Sequence, residues 1–529
     1  MIWRYNKKAK SNHCKLLHKS KGECVLSIEK KATAFREYLK KISNYQEAIG
    51  LMAWDLRTGA PKKGVEQRSE VLGTLSSEVF SMKTSEEMKG FLDELTEEKT
   101  FGQLDEVTKG CLLECQKEYK KLTKVPAEEY SKFVVLTAKA ESAWAEAKEK
   151  NDFPSFQPYL EKIVDFNRKY VDWIGYEGNK YNTLLDEYEP GLTVDILDGV
   201  FGQLREEIVP LVKEVTEASN QPATDFLFKH FPSKDQEALS KEILSSMQYD
   251  FDAGRLDTTV HPFAIGLNPG DVRVTTKYDE KDFRTAVFGT IHEGGHALYE
   301  QNIDKKYIGT PLCTGTSMGI HESQSLFWEN FVGRNKAFWE KNYSLLKRYS
   351  PGQFDDVDLE TFFRGINVAG PSFIRIEADE MTYSLHIILR YELEKALING
   401  ELEVKDLPDA WNDKMEEFLG IRPATDAEGV LQDVHWSGGS FGYFPSYALG
   451  YVYAAQLKKA MDKDIPNFDN LLQAGELAPI KEWLTANVHQ YGKRKLPLDI
   501  LKDVTGEGVN ATYLIDYLKT KYRTVYQLV

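Results

Sequence analysis

No stretch of about 18 uncharged apolar residues occurs in this 529-residue chain, so no membrane-spanning helix is expected. Cysteine is scarce: five residues, an odd number, do not make a disulfide scaffold in a chain of this length. Basic residues are outnumbered. Sixty-seven Lys and Arg against 82 Asp and Glu leave a net charge of −15, which argues against nucleic acid or an anionic membrane as the main partner. Internal repeats and low-complexity linkers are absent. Apolar mass is not: 42% hydrophobic residues, with 9 Trp, 27 Tyr and 27 Phe, place the chain among globular proteins and exclude disorder.

The charge is uneven. Residues 1–28 carry seven Lys or Arg against Glu23, a local +6 that leaves −21 on the remainder. This segment has no apolar core and no small-residue cleavage site, so it does not read as a signal peptide. The expected organisation is a flexible basic extension over 1–27, then one large domain over 28–529. Cys14 and Cys24 fall in the extension as free thiols. Cys111 and Cys115 lie four apart on one face of a helix with no further metal ligand nearby, so they read as small buried residues. This cysteine usage fits a reducing cytoplasm.

Helical periodicity dominates from Ile28 onward. It predicts, among others, helices over 159–174, 281–302, 316–347, 374–398 and 446–462. The exception is 260–278. There Val272 and Val274 alternate with Arg273 and Thr275 as in a strand, and HPFAIGL supplies a hairpin partner across Asn268-Pro269-Gly270. The fold class expected is mainly α with a small sheet beside the motif described next.

That motif is His292-Glu293-Gly294-Gly295-His296. Two histidines at i and i+4 project from one helix face and can hold one metal ion. Glu293 lies about 100° round the helix, where a general base beside the metal belongs. About 0.02 chance matches to HExxH are expected in a chain with this little histidine, so coincidence is a poor explanation. Each glycine costs about 1 kcal/mol in a helix relative to alanine, which points to a helix that another backbone or a substrate must approach closely. A third ligand is needed for a catalytic site with an open position. His321 and Glu322 are adjacent candidates after a glycine-rich link, and spacing does not separate them; Cys313 in the link is an atypical third choice.

Further motifs occur in order: HPF at His261–Phe263, DxRxT at Asp271–Thr275, HESQ at His321–Gln324, IRxxAD at Ile374–Asp379 and GxxQDxHW at Gly429–Trp436, with AWDLRTGAPKKGVEQR upstream. Together with HEGGH they make the chain resemble the thermostable metallocarboxypeptidases (the carboxypeptidase Taq family) among the gluzincin peptidases, from about Ile28 to the C-terminus. The resemblance implies a large helical gluzincin fold with a deep active-site groove, a homodimer, and Glu322 as the third ligand. It implies release of single C-terminal residues with broad specificity and poor tolerance of proline.

The chemistry agrees with that expectation. Zinc lowers the pKa of its water, Glu293 takes the proton and later hands it to the leaving amine, and further donors stabilise the oxyanion. A His/His/Glu site also accepts cobalt. The donors expected are His435 and Tyr447, with Tyr443 behind them. Recognition of a free C-terminal carboxylate suits an arginine fork, for which Arg375 and Arg273 are the candidates, with Arg422 third; His261 joins them as a substrate-binding residue. Asp271, Asp379 and Asp433 are available to fix those arginines or to orient ligand histidines. Two alternatives use the same residues: a helical gluzincin endopeptidase or dipeptidyl carboxypeptidase, and a noncatalytic peptide-binding module.

Overall fold

The computed structural model describes residues 5–528, with side chains from 28 to 528. Of the flexible basic extension expected over 1–27, residues 1–4 lie outside the described residues and 5–27 are described by backbone alone. Two compact units form. One holds the N-terminal helices through Thr123 together with Lys305–Cys313; the other runs from Lys124 onward, that segment excepted.

In the first unit a long helix, Tyr5–Thr58, buries Phe35, Leu39 and Ile42 at helical spacing. Helices Val65–Lys83 and Glu86–Leu95 pack against it. Ser85 caps the second by accepting from Met88 N–H at 3.0 Å. Cys111 and Cys115 are buried free thiols on Glu106–Lys124, as expected from their spacing.

The second unit is a helical body around a buried helix, Pro445–Asp464, apolar on nearly every side. Against it lie Met318–Leu326, Tyr383–Asn399 and Thr512–Tyr526. A three-stranded sheet, order β1-β3-β2, comprises β1 (Leu256–Thr258), β2 (Ala264–Asn268) and β3 (Asp271–Thr276). β2 and β3 form the expected antiparallel hairpin, Ile265 opposite Arg273. Asn268 closes its turn by accepting from Gly270 N–H at 2.8 Å. β1 pairs in parallel with β3 and is too short for its periodicity to be legible. Val272 and Val274 are buried, and β3 packs on the helix Arg284–Gln301 that carries HEGGH. No helix of the described residues is long and apolar enough to cross a membrane.

Three helix boundaries depart from the sequence reading. Phe153–Ile174 starts earlier than residue 159, because Asp152 caps it by accepting from Ser155 N–H and Pro154 tolerates the first turn. The helix expected over 316–347 is three pieces: Met318–Leu326, a π-helical stretch Phe327–Gly333, and Lys336–Tyr349 capped by Asn335. The segment 374–398 opens with a 3-10 turn at Arg375–Glu377, and its α-helix begins only at Tyr383. Asp379 explains that delay, since its carboxylate accepts from the N–H groups of Gly370, Met381 and Thr382.

Candidate functional site

The HEGGH helix lies with one face on the sheet and its motif against Met318–Leu326. Its two glycines make that approach possible. A Cβ on Gly295 would sit 2.5 Å from the Gln324 carbonyl oxygen and 2.7 Å from Ser325 Cα; on Gly294 it would meet Leu244 Cδ2 at 2.7 Å. Gly450 plays the same part for Pro445–Asp464, where a Cβ would fall 2.6 Å from Glu322 Cβ. Glycines on two helices thus let a third bring Glu322 up to the histidines. Gly295→Ala is expected to lower thermal stability by about 1–3 kcal/mol despite alanine's better helix propensity, because the atoms it meets are backbone. Gly294→Ala, facing flexible side-chain ends, is expected to cost less. Thermal unfolding of the two variants checks this.

One ligand atom each from His292, His296 and Glu322 lies within 4.8 Å of the others. His296 Nε2 is 3.4 Å and His292 Nε2 3.8 Å from Glu322 Oε2. Ligand atoms about 2.0–2.1 Å from one tetrahedral ion stand about 3.3 Å apart, so this spacing suits a shared cation. The outer nitrogens agree. His292 Nδ1 meets Glu329 Oε2 at 2.9 Å, and His296 Nδ1 meets the His321 carbonyl oxygen at 3.0 Å. Both Nε2 atoms are thereby left for a metal, the arrangement that outer partners impose on histidine ligands. His321 lies outside the cluster.

Glu329 comes from the π-helical stretch. Arg334 donates to its Oε1 at 3.0 and 3.3 Å. Burial alone would raise this carboxyl, but His292 and Arg334 outweigh it and hold it at about 2. Glu293 is different. Burial pushes it up to about 7, with the neighbouring His292 opposing the rise. A carboxyl so placed can take and return a proton near neutrality.

The cluster opens onto a groove of about 1310 Å³, lined among others by His261, Glu293, Arg375, Tyr383, His435 and Tyr447. His435 Nε2 lies 3.3 Å from the Tyr447 hydroxyl. Burial, reinforced by Arg375, lowers His435 to about 4, which leaves it neutral. Burial raises Tyr447 well above 10, so it keeps its proton to donate. Tyr443 also reaches the groove, its ring edge-on to Tyr447.

The arginines separate. Arg375 lines the groove and is only 7% exposed. Its Nε donates to Asp433 Oδ1 at 3.0 Å, and its guanidinium stands 5.0 Å from the Tyr447 ring centre. Arg390, fully buried, takes the other oxygen of Asp433 at 2.7 Å. Two guanidiniums thus share one carboxylate, a buried surplus of one positive charge. Burial pulls Arg390 down to about 10, and Asp433 is driven low by both arginines against its own burial. Arg273, by contrast, forks onto Asp271 at 2.7 and 2.8 Å and does not line the groove. Arg422 pairs with Asp413 and Glu416 at the surface, also away from it.

Sequence reasoning missed Glu329, Arg334, Tyr383 and Arg390. Glu329 had a signal: it follows Glu322 by seven residues, two helical turns on the same face. Arg390 had another, a lone arginine in the apolar run Leu385–Tyr391. Tyr383 and Arg334 had none.

The chain is similar to known proteins over most of its length. The family model described as carboxypeptidase Taq (M32) metallopeptidase matches residues 34–522. Carboxypeptidase 1 of Bacillus subtilis is 58% identical over 494 residues, covering 93% of this chain and 98% of that protein. Thermostable carboxypeptidase 1 of Thermus thermophilus is 37% identical over 492 residues, 91% of this chain and 96% of that one. The crystal structure of an M32 carboxypeptidase from Deinococcus radiodurans R1 superposes with a TM-score of 0.91 at 34% identity, covering 94% of this chain and all of that one.

Proposed function

Because this chain belongs to the carboxypeptidase Taq (M32) metallopeptidase family, and so is a metallocarboxypeptidase, we propose that it removes single C-terminal residues from peptides with a free carboxylate, using His292, His296 and Glu322 to hold zinc. The observation that carries this reading is the convergence on one groove of that three-residue cluster, Glu293 and the Asp433-anchored Arg375. A divalent cation held there supplies Lewis acidity toward water and toward a carbonyl. Cobalt suits the same donors.

The chain's own residues do the rest. Glu293 removes a proton from the attacking water and delivers it to the leaving amine nitrogen. Tyr447, with His435 beside it, donates to the carbonyl oxygen as negative charge develops there. Arg375 grips the terminal carboxylate with the donors Asp433 leaves free, and His261 contributes to the groove wall. Arg375 lines the groove and Arg273 does not, which favours Arg375 as the clamp.

Broad side-chain specificity with poor use of proline, a homodimer and a cytoplasmic location complete the proposal. The family match spans both compact units, which supports reading 28–529 as one catalytic module. An endopeptidase or dipeptidyl carboxypeptidase would use the same metal chemistry, but the buried positive surplus at Arg375 favours a substrate that brings a terminal carboxylate. Treatment with a strong chelator is expected to abolish hydrolysis, and zinc or cobalt to restore it. Glu322→Ala is expected to stay inactive after metal addition. Restored activity in Glu322→Ala would remove that residue from the ligand set.

A further inference from the structure

His321 stands beside Glu322 and takes no part in the chemistry proposed above, yet it is tightly held. Its Nε2 is 3.0 Å from Glu300 Oε1, which also accepts from Gly315 N–H at 3.0 Å. Its Nδ1 is 2.7 Å from His296 Nδ1. Tyr299 packs its ring 5.2 Å from the imidazole, and a Cβ on Gly315 would fall 2.6 Å from His321 Cδ2.

The donors and acceptors in this chain have one consistent order. A carboxylate oxygen accepts, so His321 Nε2 carries a proton and donates it to Glu300. The His321 carbonyl oxygen can only accept, so His296 Nδ1, 3.0 Å away, carries a proton. His321 Nδ1, 2.7 Å from that nitrogen, meets the same proton with its lone pair. The lone pair of His296 is thereby placed on Nε2, the atom nearest Glu322. We infer that Glu300 and His321 form a positioning relay that fixes the tautomer and ring direction of His296 as a metal ligand, the counterpart of Glu329 at His292. This inference rests on the metal-site reading proposed above. It assigns His321 a task other than ligation.

Cobalt binding, measured without substrate, tests it. Metal-free wild type, His321→Phe, Glu300→Gln and the ligand control Glu322→Ala would each be titrated with cobalt against a chromophoric chelator, and their cobalt absorption bands recorded. Glu300→Gln keeps the side-chain shape, so it decides the matter should His321→Phe fail to fold. His321→Phe is expected to bind one cobalt per chain about 10–100-fold more weakly, with the wild-type band shape, because the donor set is intact. Glu300→Gln is expected to weaken binding less, since its amide oxygen still accepts. Wild-type affinity in both variants overturns the relay. A His321→Phe protein that loses stoichiometric binding and changes its spectrum as Glu322→Ala does also overturns it, by making His321 a ligand. Failure of the wild type to take up cobalt overturns the metal-site reading together with the relay, whereas cobalt binding without C-terminal hydrolysis overturns only the proposed activity.

Discussion

Glu293→Gln lowers kcat by about 10²–10⁴-fold on an unblocked peptide while the protein still binds one metal ion; this is the expected result, and it follows from where the side chain stands. Glu293 shares its helix with His292 and His296 but projects beside them into the groove, and it is not one of the three clustered ligands. Burial pushes its carboxyl up to about 7, so it exchanges a proton readily near neutral pH. Glutamine keeps the volume and the neighbours but cannot take the proton. KM is expected to change little, because the lost interaction belongs to the reaction step. Steady-state kinetics together with metal content check both halves. Loss of metal in the variant would make Glu293 part of the ion's coordination.

The second large effect is expected at Arg375. Replacing it with methionine removes the groove-lining member of the pair on Asp433 and leaves Arg390 to neutralise that carboxylate. The fold therefore keeps a balanced ion pair, and the damage falls on substrate binding. Losing one partner of a buried charged contact costs about 2–5 kcal/mol, so kcat/KM on a free peptide is expected to fall by about 30-fold or more, mostly through KM. The preference for free over amidated peptides should collapse. Arg375→Lys should recover only part of it, since an ammonium cannot make the bidentate fork. Comparison of kcat/KM on the two peptides in each variant measures this. An unchanged preference in Arg375→Met would move the clamp elsewhere.

Much of this site is legible in the amino-acid sequence. HEGGH carries its own geometry, because i, i+4 spacing places both histidines on one face whatever the rest of the chain does. The costly glycines read as a demand for close approach, and the Gln324 backbone is what approaches Gly295. The hairpin is readable from alternation and its Asn-Pro-Gly turn. What is illegible depends on distant pairing. Nothing local says that Asp433 is shared by two arginines, Arg375 and Arg390, from another segment. The π-helical stretch that delivers Glu329 to His292 has no periodicity of its own and merges, in sequence, into one long helix. Adjacent His321 and Glu322 are told apart in sequence only by the resemblance; the structure groups Glu322 with the histidines and turns His321 toward Glu300.

The most direct test of the central claim is an end-group analysis. The zinc-loaded protein would receive one unblocked peptide and its C-terminally amidated twin, and the products would be identified by mass. The account predicts stepwise loss of single C-terminal residues from the free peptide and little or none from the amide. Cleavage of both peptides at an internal bond, or release of dipeptides, would contradict it.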